Sequence, residues 1–226
     1  MAELPFSGAL QGQVSASGMV LAGGTGEGYR SGTGTVDREM SGTETQNSIL
    51  DAVQAIIVRD GVAGTSMRQI AEEADVSLGL ISYHFDDKDR LILATFERAT
   101  AALRGASQRA ADEVDDPAEK VRAFLRGSFT EEFLNSDYLR LRVSLWAVAL
   151  TEAEIATVDL EYSRLYESAL EALLQSALPD TDPREVASRC WQAIALTNGL
   201  WLEWARYGDD ESLERGLVLA ENVLFG

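Results

Sequence analysis

From residue 43 onward apolar side chains recur every three or four positions, and no stretch alternates, so the pattern predicts helices without a sheet. Ile49, Leu50, Val53, Ile56 and Ile57 share one stripe. Thr43 and Gln46 stand before it at capping-box spacing, and Gly61 is placed to end that helix. A short helix over residues 67–74 follows, opened by the capping box Ser66 and Gln69, with Ile70, Ala71 and Ala74 facing inward. Asp75, Val76 and Ser77 make a tight turn in which Asp75 tolerates a left-handed backbone and Ser77 caps what comes next. A second short helix over residues 78–85 then points Ile81 and Phe85 inward. Two short helices joined by a three-residue turn have the spacing of a helix-turn-helix.

The remaining pattern continues as helices. Asp86, Asp87 and Asp89 surround the start of a long one that carries Lys88 in its first turn and then Leu91, Ile92, Leu93 and Phe96. Asp116, Pro117 and Glu119 open another, holding Val121, Phe124, Leu125 and Phe129. Residues 137–150 form the next, with Leu141, Leu145 and Trp146. Thr151 and Glu154 read as a capping box for an amphipathic helix that runs toward Pro179. Asp182, Pro183 and Glu185 start the penultimate helix, which is apolar on nearly all sides from Cys190 to Trp204 and ends at Gly208. A last helix carries Leu213, Leu217, Leu219, Val223 and Leu224. A helix apolar on two faces needs partners on both, so the last two helices, about residues 183–225, are expected to join two copies of the chain.

The chemistry-bearing positions gather on the helix-turn-helix. Leu78, Gly79, Ser82, Tyr83 and His84 are left free on its second helix to meet a DNA groove or a phosphate, and Ser66, Ser77 and Lys88 sit at helix starts beside them. Arg68 has two readings, a base-edge or phosphate contact and a solvated surface residue. His84, the single histidine, is a phosphate contact or an internal hydrogen-bond partner, and Gly79 either admits the DNA backbone or is a plain weak point in the helix.

The run TSMRQIAEEADVSLGLISYHFDDKDRL, with a helix and a glycine before it and a long helix after it, resembles the DNA-binding domain of the TetR/AcrR family of transcriptional regulators over residues 43–96. The resemblance implies an all-α fold: a three-helix DNA-binding domain over residues 43–91, then a ligand-binding and dimerisation domain over residues 92–226. It also implies double-stranded operator DNA, a second copy of the chain and a small-molecule effector as partners. The expected function is that of a repressor released from a palindromic operator, although the residues leave repressor and activator open. Many family members carry a phosphate-binding tyrosine where this chain has Ser82, so Tyr83 is the candidate replacement. Serine there, and the segment ALTNGLWLEWARYG, are similar to the BetI-type branch, which responds to choline and betaine aldehyde. Within a helical ligand domain, Phe124, Trp146, Tyr162, Tyr166 and Trp191 are candidates to wall a pocket with Asn198 as a polar contact; aromatics at helical spacing are equally plain core.

Composition changes this picture in three places. Ten of the nineteen glycines fall in residues 1–42, which lack apolar periodicity and read as a disordered tail, with Met40 as an alternative start of translation. The GGTGEG there lacks the Gly-Lys-Ser/Thr ending of a phosphate loop, a single cysteine excludes an internal disulfide, and no metal-ligand spacing appears. No enzyme, cofactor or metal is expected, and no membrane span or signal peptide, which points to the cytoplasm. The formal charge is −18, and Glu44 to Leu91 holds nine acids against four bases, a net −5 in the expected DNA reader. That acidity keeps a helical ligand-binding module without DNA binding as an alternative. With only Lys88 and Lys120 as lysines, the usage resembles proteins of salt-accumulating halophiles, where screening shortens to about 3 Å near 1 M salt.

Overall fold

A computed structural model describes residues 42–226, which lie within one compact unit spanning Met40–Gly226. The sequence places the tail over residues 1–42; Gly42 instead belongs to a helix, and residues 1–41 fall outside the described residues. Among these, nine helices and no strand are present: α1 (Gly42–Gly64), α2 (Met67–Glu73), α3 (Leu78–His84), α4 (Lys88–Asp112), α5 (Pro117–Arg126), α6 (Ser136–Ala149), α7 (Ala153–Ala177), α8 (Pro183–Tyr207) and α9 (Asp210–Phe225).

Local chemistry sets the boundaries. Ser66 caps α2, accepting from the Gln69 backbone N–H at 3.3 Å, and Ser77 caps α3 by accepting from Leu80 N–H at 3.1 Å. Asp75 between them has φ 52°, the left-handed conformation the turn requires. Asp87, Asp116, Asp182 and Asp209 cap α4, α5, α8 and α9, with Pro117 and Pro183 in the first turns they are suited to. Gly61, at φ 74° and ψ 169°, breaks α1 where the sequence places its end. Two expected capping boxes do not form. Thr43 lies inside α1, which already begins at Gly42. Thr151 donates its hydroxyl back to Val148 C=O at 3.1 Å, and α7 starts behind Glu152 without a side-chain cap.

The core of the helix-turn-helix is built from Ile49, Val53, Ile56 and Ile57 of α1, Ile70 of α2, Ile81 of α3 and Leu91, Ile92 and Phe96 of α4. Ala71, Ala74 and Phe85 pack against it only partly buried, because α2 and α3 are each seven residues long, about two turns, and each buries a single residue, Ile70 and Ile81. The same cluster continues into Leu141 and Leu145 of α6 and Ile155 of α7. The motif therefore shares its interior with the larger lobe, and α4 crosses from one to the other without a break. Arg98 of α4 adds a polar tie to α1, bonding Asp51 at 2.8 Å and the Asn47 carbonyl at 3.2 Å.

The larger lobe packs α5, α7, α8 and α9 around Val121, Phe124, Leu125, Leu170, Leu174, Cys190 and Leu224, all fully buried. Arg126 of α5 binds both oxygens of Glu214 at 2.9 and 2.8 Å and reaches Glu221, clamping α9 down. A smaller cluster of Leu103, Phe133, Tyr138, Leu139 and Trp201 closes the space between α4, α6 and α8. The outer face of α8 and α9 stays uncovered: Trp191, Leu202, Tyr207, Val218 and Leu219 are exposed large apolar residues.

Candidate functional site

The exposed face of α3 is the first candidate site. Its inward residue, Ile81, is fully buried, which turns Leu78, Gly79, Ser82 and Tyr83 outward; Tyr83 is 81% exposed and Leu78 is 50% exposed. Such exposure of an aromatic and a leucine on a seven-residue helix is costly in water and suits a surface that is covered in use. A Cβ on Gly79 would meet only the Ser77 hydroxyl at 3.9 Å, so nothing shields its backbone from a close approach. His84 is half-buried, packs edge-on against Tyr83 with centroids 5.1 Å apart and lies beside Gly42 at the start of α1.

Cations on this face are few. Arg68 is 88% exposed, but its guanidinium is held by Glu72 at 3.1 Å. Arg90 lies 3.8 Å from Glu154. Lys88 begins α4 directly after the Asp87 cap and makes no ion pair among the described residues. Ser66 and Ser77 use their hydroxyls as helix caps, and the Ser66 hydroxyl also donates to Gln69 Oε1 at 2.7 Å. Of the candidate DNA residues, Ser66, Arg68, Ser77, Leu78, Gly79, Ser82 and Tyr83 are exposed at the α2 start and along α3, whereas Lys88 at the α4 start and His84 are partly buried.

The second candidate site is a cavity of about 200 Å³ enclosed by α4, α6, α7 and α8. Trp146, Tyr162, Tyr166 and Asn198 line it, as the sequence leads one to expect. Two expected residues do not. Phe124 is fully buried behind the wall, where its ring packs against Tyr166 with centroids 4.8 Å apart. Trp191 is 63% exposed on the outer face of α8: the helix is apolar all round, and 191 falls on the side that no other described helix covers. Tyr166 has its hydroxyl pushed up to about 12, mainly by burial, with the Ser107 and Ser128 hydroxyls opposing.

The residues that periodicity did not single out are charged. Arg104 of α4, Arg142 of α6 and Asp159 of α7 all line the cavity. Arg142 lies over the rings of Trp146 and Trp201, 4.6 and 5.1 Å from their centroids. The Nε atoms of Arg104 and Arg142 are both buried without a hydrogen-bond partner. Burial raises the Asp159 carboxyl above its ordinary value while Arg142 pulls it down. An arginine inside an otherwise amphipathic helix looks like a solvated residue in the sequence, and only the packing of four helices reveals otherwise. No group of acidic, histidine or cysteine side chains that could hold a metal occurs among the described residues, and no helix there is long and apolar enough to cross a membrane.

Residues 49–95 match the family described as bacterial regulatory proteins of the tetR family, and residues 117–224 match the C-terminal domain of BetI-type transcriptional repressors. The HTH-type transcriptional regulator BetI of Burkholderia mallei is 28% identical over 177 residues, covering 78% of this chain and 89% of the relative. A transcriptional regulator from Pseudomonas aeruginosa PAO1 is similar in structure, with a TM-score of 0.75 at 25% identity over 83% of this chain and 92% of its own. A transcriptional regulator from Saccharomonospora viridis, solved in complex with choline, has the same fold with a TM-score of 0.66 at 18% identity, over 80% of this chain and 95% of its own. The two family matches follow each other along the chain as the exposed α3 face and the α4–α8 cavity do, and the chain belongs to the TetR family: it is a DNA-binding transcriptional regulator whose C-terminal half is of the BetI type.

Proposed function

We propose that the chain is a cytoplasmic homodimeric repressor, bound to a pseudo-palindromic operator through α3 and released when a small molecule enters the α4–α8 cavity. The observation that carries this reading is α4. One uninterrupted helix begins with Lys88 beside the DNA-facing surface and brings Phe96 and Arg104 to the cavity wall. Phe96 also belongs to the interior of the helix-turn-helix, so pressure from an occupant reaches α2 and α3 through packed side chains. An effector that fits one setting of α4 better than the other shifts the balance between them.

In this reading Leu78, Gly79, Ser82 and Tyr83 enter the major groove or meet its rim. Arg68 reads a base edge or a phosphate, Lys88 and the helix starts at Ser66 and Ser77 hold phosphates, and His84 steadies Tyr83. Dimerisation through α8 and α9 is supported by their uncovered apolar stripe, Trp191, Leu202, Tyr207, Val218 and Leu219. Two-fold symmetry then spaces the α3 helices about one DNA turn, roughly 34–36 Å, apart. Binding, with no reacting group, is the whole of the activity.

Selection of duplexes from a random pool by the full-length protein, in dilute buffer and in molar KCl, tests the proposal. Recovery of an inverted repeat with half-sites one turn apart is expected. Recovery of no sequence above background in either salt would refute it.

A further inference from the structure

We infer that the effector is a small carboxylate with a ring-sized apolar body, held by Arg104 and Arg142; this rests on the reading of the cavity as the effector site. Three observations converge on it. First, the two guanidiniums bring a formal charge of +2 to the cavity and Asp159 returns −1, so the empty site carries a net +1 that a monoanion neutralises. Second, both guanidiniums line the cavity without a carboxylate bonded to them: Nε of each is covered by protein and has no hydrogen-bond partner, and Arg142 is bonded to the Tyr138 side chain. Neither arginine makes an ion pair among the described residues, whereas Arg59, Arg98, Arg126 and Arg189 elsewhere all do. Guanidiniums partly withdrawn from water without an ion pair recover only part of their desolvation cost until an acid arrives at their terminal nitrogens, and a carboxylate, with two oxygens in the plane of a guanidinium fork, is the acceptor that matches those.

Third, both tryptophan faces at the cavity, the rings that draw a quaternary ammonium best, are already taken by a cation of the protein. Arg142 lies over both Trp146 and Trp201, 4.6 and 5.1 Å from the ring centres. A choline-like headgroup placed on either ring would sit against that guanidinium and be repelled by it, with only the half-buried Asp159 in compensation. A dianion such as a phosphate monoester would overshoot the charge and leave a net −1 in a cavity whose wall includes Leu103, Leu141, Leu145 and several aromatic side chains. The volume of about 200 Å³ exceeds the roughly 150 Å³ in which an engineered cavity binds benzene, which leaves room for one ring and a carboxylate.

Calorimetry on the full-length protein with phenylacetate, hexanoate, phenyl phosphate, benzyltrimethylammonium and choline decides the matter. At least one of the two carboxylates is expected to bind more tightly than the other three probes, and Arg104→Gln and Arg142→Gln are each expected to weaken it about tenfold or more. Thermal unfolding of the two variants without ligand keeps a folding defect apart from a binding one. Arg104→Gln, which removes a charge with no ion-pair partner, should leave the midpoint unchanged or higher, and a lower midpoint there would overturn the reading of Arg104 as a ligand group held in reserve; Arg142→Gln also loses its stacking on Trp146 and Trp201, so its affinity is compared at a temperature where it is fully folded. The inference is also overturned if both carboxylates give no heat, if phenyl phosphate or either ammonium binds best, or if a carboxylate binds with the same affinity to both variants. A shift assay with selected operator is read separately. A protein that binds a carboxylate through these arginines but selects no DNA sustains this inference and removes the repressor reading, and one released from DNA by an ammonium alone does the reverse.

Discussion

Replacing Lys88 by Gln should change the salt dependence of operator binding more than it changes the fold. Three cations stand on the helix-turn-helix between residues 66 and 91, and two of them are already matched: Arg68 by Glu72 at 3.1 Å and Arg90 by Glu154 at 3.8 Å. Arg68 is exposed enough to swing to DNA, so each protomer offers two phosphate-neutralising groups, Lys88 and Arg68, and a dimer offers four. With each neutralised phosphate contributing about −0.9 to the slope of log K against log salt, the wild type should show a slope near −3.6, which is a loss of about 150-fold between 50 and 200 mM. Lys88→Gln removes two of the four, leaving a slope of about −1.8 and a loss of about 12-fold over the same range. Glu72→Gln frees Arg68 and should raise affinity at low salt without altering base preference, while Arg68→Gln should relax that preference. Fluorescence anisotropy of a labelled operator duplex through a KCl titration reads all four proteins. A wild-type slope steeper than about −6, or a slope unaltered in Lys88→Gln, would refute the assignment of these cations to the DNA face.

Three further outcomes follow from the packing. A Cβ at Gly127 would lie 2.7 Å from Ser107 Cα and 3.0 Å from the Ala106 carbonyl, both backbone atoms of α4 that cannot step aside, so Gly127→Ala should destabilise the protein by about 1–3 kcal/mol; a urea midpoint equal to wild type would contradict the close α4–α5 approach. Cys190 is fully buried, and burial with Glu171 and Glu167 nearby pushes its thiol up to about 12, so iodoacetamide at pH 8 should label it only in denaturant; labelling of the native protein at the rate of free cysteine would place it elsewhere. Arg126 holds the Glu214 carboxyl below its ordinary value of 4.5. A depressed folded-state value stabilises above the ordinary range and is lost as pH falls through the depressed one, so Glu214→Gln should flatten the acid side of the thermal midpoint against pH profile, and a profile parallel to wild type would show the clamp to be idle.

How far the sequence reaches depends on how local the governing physics is. Ser66, Ser77, Asp75 and Gly208 act within four residues of themselves, through caps and left-handed turns, and their roles in the structure are those the sequence implies. The outward face of α3 is equally legible, because Ile81 alone fixes the rotation of so short a helix. Thr151 fails as a cap because the chain before it is still turning, which lets its hydroxyl bond back to Val148, and spacing carries no trace of that competition. Aromatic placement was half legible. Trp146, Tyr162 and Tyr166 lie at the cavity, whereas Phe124 and Trp191 lie behind it and outside it, since periodicity names a face of a helix but not the element the face will meet. Arg104, Arg142 and Asp159 sit on α4, α6 and α7, and their convergence exists only once those helices cross.

That convergence explains how a chain of net charge −18 can be governed by so few cations. Around the helix-turn-helix the positive groups are scarce and two of the three are matched by carboxylates, so on the proposed DNA face bulk charge contributes little and the geometry of α3 carries the selection. In the cavity the opposite holds: two guanidiniums are partly withdrawn from water and faced by the single carboxylate of Asp159, where an anion gains more from them than it would at the surface. Arg104 stands sixteen residues from Lys88 on the same helix, about 24 Å along its axis, and Phe96 between them is wedged into the helix-turn-helix interior. An effector bonded to Arg104 must therefore take its hold on α4 in one of that helix's settings. Whatever factor it removes from operator affinity, the operator removes from the effector's own, because both act on the same equilibrium. A site that is electrostatically incomplete when empty favours this arrangement, since the energy that completes it is available only to the ligand and only in the setting of α4 that brings Arg104 and Arg142 to one carboxylate.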